Sequence, residues 1–92
     1  MYIHLGNDVS IRASDVIGIF DMDRATVSKD TQAFLRRCED EDMVTTVSRD
    51  LPKSFVLCRY NGRLQVFISA ISTATLKRRG MFHRNYGKHG KQ

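Results

Sequence analysis

A chain of 92 residues, 41% hydrophobic and 27% charged, has the balance of a folded globular protein, and at this length folding removes only about 60–65% of the unfolded surface from water. No apolar run approaches the roughly 18 residues of a membrane-spanning helix, and Met1-Tyr2-Ile3-His4-Leu5 lacks the basic and apolar segments of a secretion signal, so a cytoplasmic protein without a membrane partner is expected. The net charge of +5 is uneven: Lys77, Arg78, Arg79, Arg84, Lys88 and Lys91 face no acidic residue from position 77 onward, whereas nine basic residues meet all ten acidic ones before it.

Ile3 and Leu5 alternate with Tyr2 and His4, and after Gly6-Asn7-Asp8 the alternation resumes with Val9, Ile11 and Ala13, which predicts two paired strands with one wet face. Val16-Ile17-Gly18-Ile19-Phe20 is apolar on both faces and predicts a central strand buried between layers. Asp21-Met22-Asp23-Arg24 leaves that strand. Ser28 then offers a capping oxygen to a helix from about 29 to 38, whose Thr31, Phe34, Leu35 and Cys38 share a face and whose Arg36 and Arg37 complement the C-terminal dipole. Glu39-Asp40-Glu41-Asp42 is a solvated stop, and Met43-Val44-Thr45-Thr46-Val47 has strand composition.

The loop Arg49-Asp50-Leu51-Pro52-Lys53 holds the single proline. Two strands follow, Phe55 to Tyr60 and Leu64 to Ile68, joined by Asn61-Gly62, the pair favoured in type I′ turns because both positions take positive φ. Ser72 or Thr73 caps a short helix through Leu76 to Arg79, which Gly80 is expected to end. The organisation expected is a small α+β domain over residues 1–80, an antiparallel sheet of about five strands with two helices, followed by a flexible basic tail over residues 81–92.

Catalytic and metal chemistry find little support. His4, His83 and His89 are scattered, Cys38 and Cys58 lack metal-ligand spacing and read as buried thiols, and no nucleophile motif accompanies His4. Asp21 and Asp23 have the makings of a cation site or an acid/base pair, but aspartate is a favoured turn residue; the run of residues 39–42 lacks convergent geometry. Glycines stand singly, without phosphate-loop spacing, and neither a cofactor nor an enzyme activity is expected.

Cationic chemistry remains. Lys77-Arg78-Arg79, then Phe82, His83, Arg84, Tyr86, Lys88, His89 and Lys91, interleave charge with rings, a composition suited to phosphate contact and base stacking, and an anionic membrane surface would attract the same charge. Arg49 and Lys53 flank Pro52 in a constrained loop suited to phosphate or base contact.

Met1-Tyr2-Ile3-His4-Leu5-Gly6, the segment Asp15-Val16-Ile17-Gly18-Ile19-Phe20-Asp21, Pro52-Lys53-Ser54 and the stretch from Ser72 to Arg79 together resemble the RemA/RemB family of extracellular-matrix regulators, the RemB type more closely. The resemblance spans roughly the first 80 residues. It implies a biofilm-matrix regulator with a fold similar to LytTR-type DNA-binding domains, assembled as a ring-shaped homo-oligomer, with DNA binding associated with the RemA branch. An arginine-rich loop before the strand pair is associated with DNA contact in that branch. Here the corresponding loop carries Arg49 and Lys53, opposed by Asp50, and Arg12 is the nearest counterpart of a further arginine before the central strand. The DNA-contacting set expected is therefore Arg49, Lys53, Lys77, Arg78, Arg79, Arg84, Lys88 and Arg12. The alternative is a protein-interaction module that does not bind DNA and works through another regulator.

Overall fold

The computed structural model describes residues 1–88. Among these residues six strands form two sheets: a hairpin of β1 (Tyr2–Gly6) and β2 (Val9–Arg12), and a four-stranded sheet ordered β3 (Val16–Asp21), β5 (Ser54–Tyr60), β6 (Arg63–Ser69), β4 (Val44–Thr46). Among the described residues three α-helices join them, α1 (Met22–Ala25), α2 (Lys29–Asp40) and α3 (Thr73–Lys88), with one 3-10 turn at Ala13–Asp15. The α+β class stands.

Both hairpin turns follow from local chemistry. Asn61 and Gly62 take φ of 52° and 77°, the type I′ geometry that asparagine tolerates and glycine, with no Cβ, adopts freely, and Asn7 and Asp8 turn β1 into β2 with φ of 43° and 66°. Ser28 caps α2 as expected, its Oγ accepting from the Thr31 N–H at 3.3 Å, and Ser72 caps α3 by accepting from the Thr75 N–H at 3.2 Å.

The central sheet separates two cores because β5 alternates with period two. Val56 and Cys58 point to a core formed with Ile3, Leu5, Ile11, Val47 and Leu76, beneath the β1–β2 hairpin and α3. Phe55 and Leu57 point to the opposite side, where Cys38, Phe34 and Leu35 of α2 pack with Val66.

The structure corrects several expectations. The main sheet is mixed, since β4 runs parallel to β6 while the other neighbours are antiparallel. β3 is not central; it is an edge strand, with Ile17 54% exposed and Phe20 39% exposed. Apolar residues on both faces report what a strand is able to bury, not how many neighbours it has. An additional one-turn helix, α1, forms because the Asp21 carboxylate accepts from the Arg24 N–H at 2.9 Å. The second helix extends past Cys38 to Asp40 and stops before Asp42, which takes a left-handed φ of 60°.

The third helix also departs from expectation. It passes through Gly80 to Lys88, across the boundary expected at residue 80. Glycine serves here for close approach: a Cβ at position 80 would lie 3.2 Å from Ile3 Cδ1, so the helix backbone rests directly on β1. The part of the expected tail at residues 89–92 lies outside the described residues.

Candidate nucleic-acid interface

The start of β5 anchors one end of the main sheet. The Lys53 N–H donates to the Ser69 carbonyl at 2.9 Å, the Met22 N–H donates to the Lys53 carbonyl at 3.0 Å, and Ser54 Oγ donates to the Ile71 carbonyl at 2.8 Å. These bonds gather the loop of residues 49–53, the start of α1 and the start of α3 at one place. The loop is braced on its N-terminal side as well, where the Val47 N–H donates to the Ile68 carbonyl at 2.9 Å and the Asp50 N–H donates to Ser48 Oγ at 3.1 Å.

Arg49 and Lys53 are exposed on this braced loop, with Leu51 between them 80% exposed. Two further exposed cations stand close by: Arg24 and Lys77 line one depression together with Phe20, Asp21 and Thr73. In the sequence Arg24 follows Asp21 and Asp23, which mask its charge. Only the structure shows Asp21 turned to the helix N-terminus as a cap.

The basic triplet of α3 divides. Lys77 lines the depression just described, Arg78 Nη2 donates to Thr75 Oγ1 at 3.5 Å, and Arg79 Nη1 donates to the His4 carbonyl at 2.7 Å. Arg79 thus ties α3 to β1. Arg12 is exposed at the end of β2 and lines a groove beside β3, with Lys77 at the same groove. Arg84 and Lys88 belong to the second half of α3, and their side chains lie outside the described residues.

A second cationic group escaped the sequence reading. Arg59 and Arg63 are exposed beside Tyr60 at the β5–β6 turn, with Tyr60 paired in register to Arg63. The turn lies at the end of β5 away from the loop of residues 49–53, so the two groups sit at opposite ends of the sheet. Their signal was available: the Asn61-Gly62 turn fixes which residues flank it, and both flanks are basic.

The remaining titratable chemistry is quiet. Among the described residues no cluster of three or more His, Cys, Asp or Glu side chains converges on a metal site. Both cysteines are free and buried. Burial pushes the Cys58 thiol up from 9.0 to about 11, with the Asp15 carboxylate adding to the rise, and burial likewise raises Cys38, helped by Glu41 and opposed by Arg37. Such thiols stay protonated at neutral pH and make poor nucleophiles. No helix among the described residues is long and apolar enough to cross a membrane.

No family model matches the chain. Among characterised proteins it is similar to extracellular matrix regulatory protein B of Bacillus subtilis (strain 168), with 37% identity over 82 residues that cover 89% of this chain and 93% of that protein.

Proposed function

Because the chain belongs to the extracellular matrix regulatory protein B branch of the RemA/RemB family, we propose that it is a DNA-binding regulator that promotes expression of extracellular-matrix, or biofilm, genes from the cytoplasm. It is a regulator and not an enzyme. It works as a ring-like homo-oligomer of LytTR-like subunits, in which many identical basic surfaces, each weak alone, hold DNA phosphates by avidity.

The observation that carries this reading is the set of four exposed cations, Arg24, Arg49, Lys53 and Lys77, around the braced loop at one end of the sheet. A loop fixed at both ends loses little entropy on binding and holds arginine in the planar orientation that bidentate contact with phosphate or guanine requires. The cations of α3 and of residues 81–92 add sequence-independent attraction.

The test is a competition assay between a target promoter and random duplex. Replacing Arg49 and Lys53 with alanine is expected to reduce the preference for the target, whereas neutralising Arg84, Lys88 and Lys91 weakens both duplexes about equally. Full target preference in the double-alanine variant would remove the loop from recognition. Absence of any duplex binding at about 50 mM salt would favour the interaction module working through another regulator.

A further inference from the structure

The loop between β4 and β5 is short in sequence and wide in space. β4 and β5 lie on either side of β6, so the loop passes over the end of that strand. The Val47 N–H donates to the Ile68 carbonyl and the Lys53 N–H to the Ser69 carbonyl, each at 2.9 Å, which fastens the two ends to neighbouring residues of β6. Two inter-strand spacings separate those ends, about 10 Å. Residues 48–52 span the gap, stiffened by the fixed φ of Pro52 and by the bond from the Asp50 N–H to Ser48 Oγ at 3.1 Å.

The residues of this span are ordered by chemistry. Arg49 and Lys53, one towards each anchor, are exposed cations, and between them stand Asp50 and Leu51, the latter 80% exposed. Single exposed leucines are common on protein surfaces. The setting of this one is different, because a braced loop holds it out in water midway between two cations. A loop that only holds phosphates has no use for a carboxylate, which they repel, or for an apolar side chain. A DNA groove in cross-section has the same order as the loop: a phosphate rim, a floor of base edges, and a second phosphate rim. The major groove is about 12 Å wide and the minor groove about 6 Å, so cations rooted about 10 Å apart match the rims of the major groove. The floor of that groove also supplies what the two middle residues need. There the thymine C5 methyl is an apolar group, and cytosine N4 donates to carboxylates; the minor groove has no methyl.

We propose that the loop straddles the major groove and that Leu51 determines specificity, packing against the C5 methyl of a thymine while Arg49 and Lys53 hold the phosphates on either side. This contact rests on the DNA-binding reading above, and adds to it the groove that is entered and the base that is read. Arg49 and Lys53 are then positioning residues, and the target preference lost on their removal is lost through Leu51.

The test uses a short duplex recovered from a random pool by repeated selection on the full chain. It is made in two forms, one with thymine and one with deoxyuridine, which lacks only the methyl. Fluorescence anisotropy gives the affinity of each form for the wild type, Leu51→Ala and Leu51→Met, each variant checked for unchanged far-ultraviolet circular dichroism. The wild type is expected to bind the deoxyuridine form about fourfold more weakly for each methyl that Leu51 covers, the worth of one buried methyl-sized group. Leu51→Met keeps the difference, and Leu51→Ala loses it, binding both forms as the wild type binds deoxyuridine. Equal binding of the two forms by the wild type would overturn the methyl contact and leave the DNA-binding reading standing. A thymine preference that survives in Leu51→Ala would give the methyl to another residue and overturn the contact as well. If Leu51→Ala weakens both forms alike and abolishes bending of the duplex, Leu51 is a minor-groove wedge and the major-groove placement fails. If selection recovers no duplex and none binds at about 50 mM salt, the DNA-binding reading fails and takes the contact with it.

Discussion

Ser54 and Ser69 face each other across β5 and β6, and both are almost wholly buried. A buried hydroxyl is tolerated only when its hydrogen bonds are made, and these make theirs: Ser69 Oγ donates to the Leu5 carbonyl at 2.8 Å and accepts from the Ile71 N–H at 3.0 Å, while Ser54 Oγ donates to the Ile71 carbonyl at 2.8 Å. Together they join the end of β1 to the connection between β6 and α3. Ser69→Ala would leave a carbonyl and an N–H without their partner, so it is expected to cost about 1–3 kcal/mol in urea unfolding, more than an exposed serine such as Ser10. Equal effects at the two positions would deny Ser69 that role. Cys58 gives a pH signature at the same scale. Below pH 9 its thiol is protonated in both states; from 9.0 to about 11 the unfolded chain releases the proton while the fold retains it, so stability falls as pH rises through that window. Between pH 8 and pH 10 the wild type should lose more stability than Cys58→Ala, and parallel losses would show that the thiol is not the titrating group.

Helix α3 shows how an element's packing overrides its propensity. Gly80 within a helix costs about 1 kcal/mol relative to alanine, and the sequence accordingly reads it as a stop. The helix nevertheless continues, because at that turn its backbone lies against Ile3. Gly80→Ala should therefore fail to deliver its propensity gain in the wild type but deliver it in an Ile3→Val background, where the Cδ1 methyl is absent; equal effects in both backgrounds would place the constraint elsewhere. Features determined within a few residues were legible in the sequence: the Asn61-Gly62 turn, the Ser28 cap, and the α2 face of Phe34, Leu35 and Cys38. Features determined by distant neighbours were not. Periodicity shows that β3 is apolar on both faces but not that it has only one neighbour, and strand composition shows β4 without its parallel partner β6. At the candidate interface, Arg49 and Lys53 were legible as a basic loop, whereas Arg24 joined them only through the Met22–Lys53 backbone bond and the turning away of Asp21.

At the scale of the whole molecule, charge is segregated more sharply than the net +5 conveys. Lys77, Arg78, Arg79, Arg84, Lys88 and Lys91 carry no acidic neighbour in sequence, and the division falls within α3 rather than after it. The first part of that helix is fixed to the fold by Leu76 in the core and by Arg79 on the His4 carbonyl, so removal of residues 81–92 leaves those anchors in place. Truncation should therefore preserve the oligomer while weakening DNA binding to target and random sequence alike. Its measurable trace is in the salt dependence. Arg84, Lys88 and Lys91 are three of the cations available to phosphates, and each phosphate neutralised contributes roughly 0.9 to the log–log slope, so the truncated protein's slope should be shallower by up to about 3. An unchanged slope would mean that these cations do not reach DNA. Loss of the oligomer on truncation would show instead that residues 81–92 take part in assembly, and that the basic end of the chain is structural before it is electrostatic.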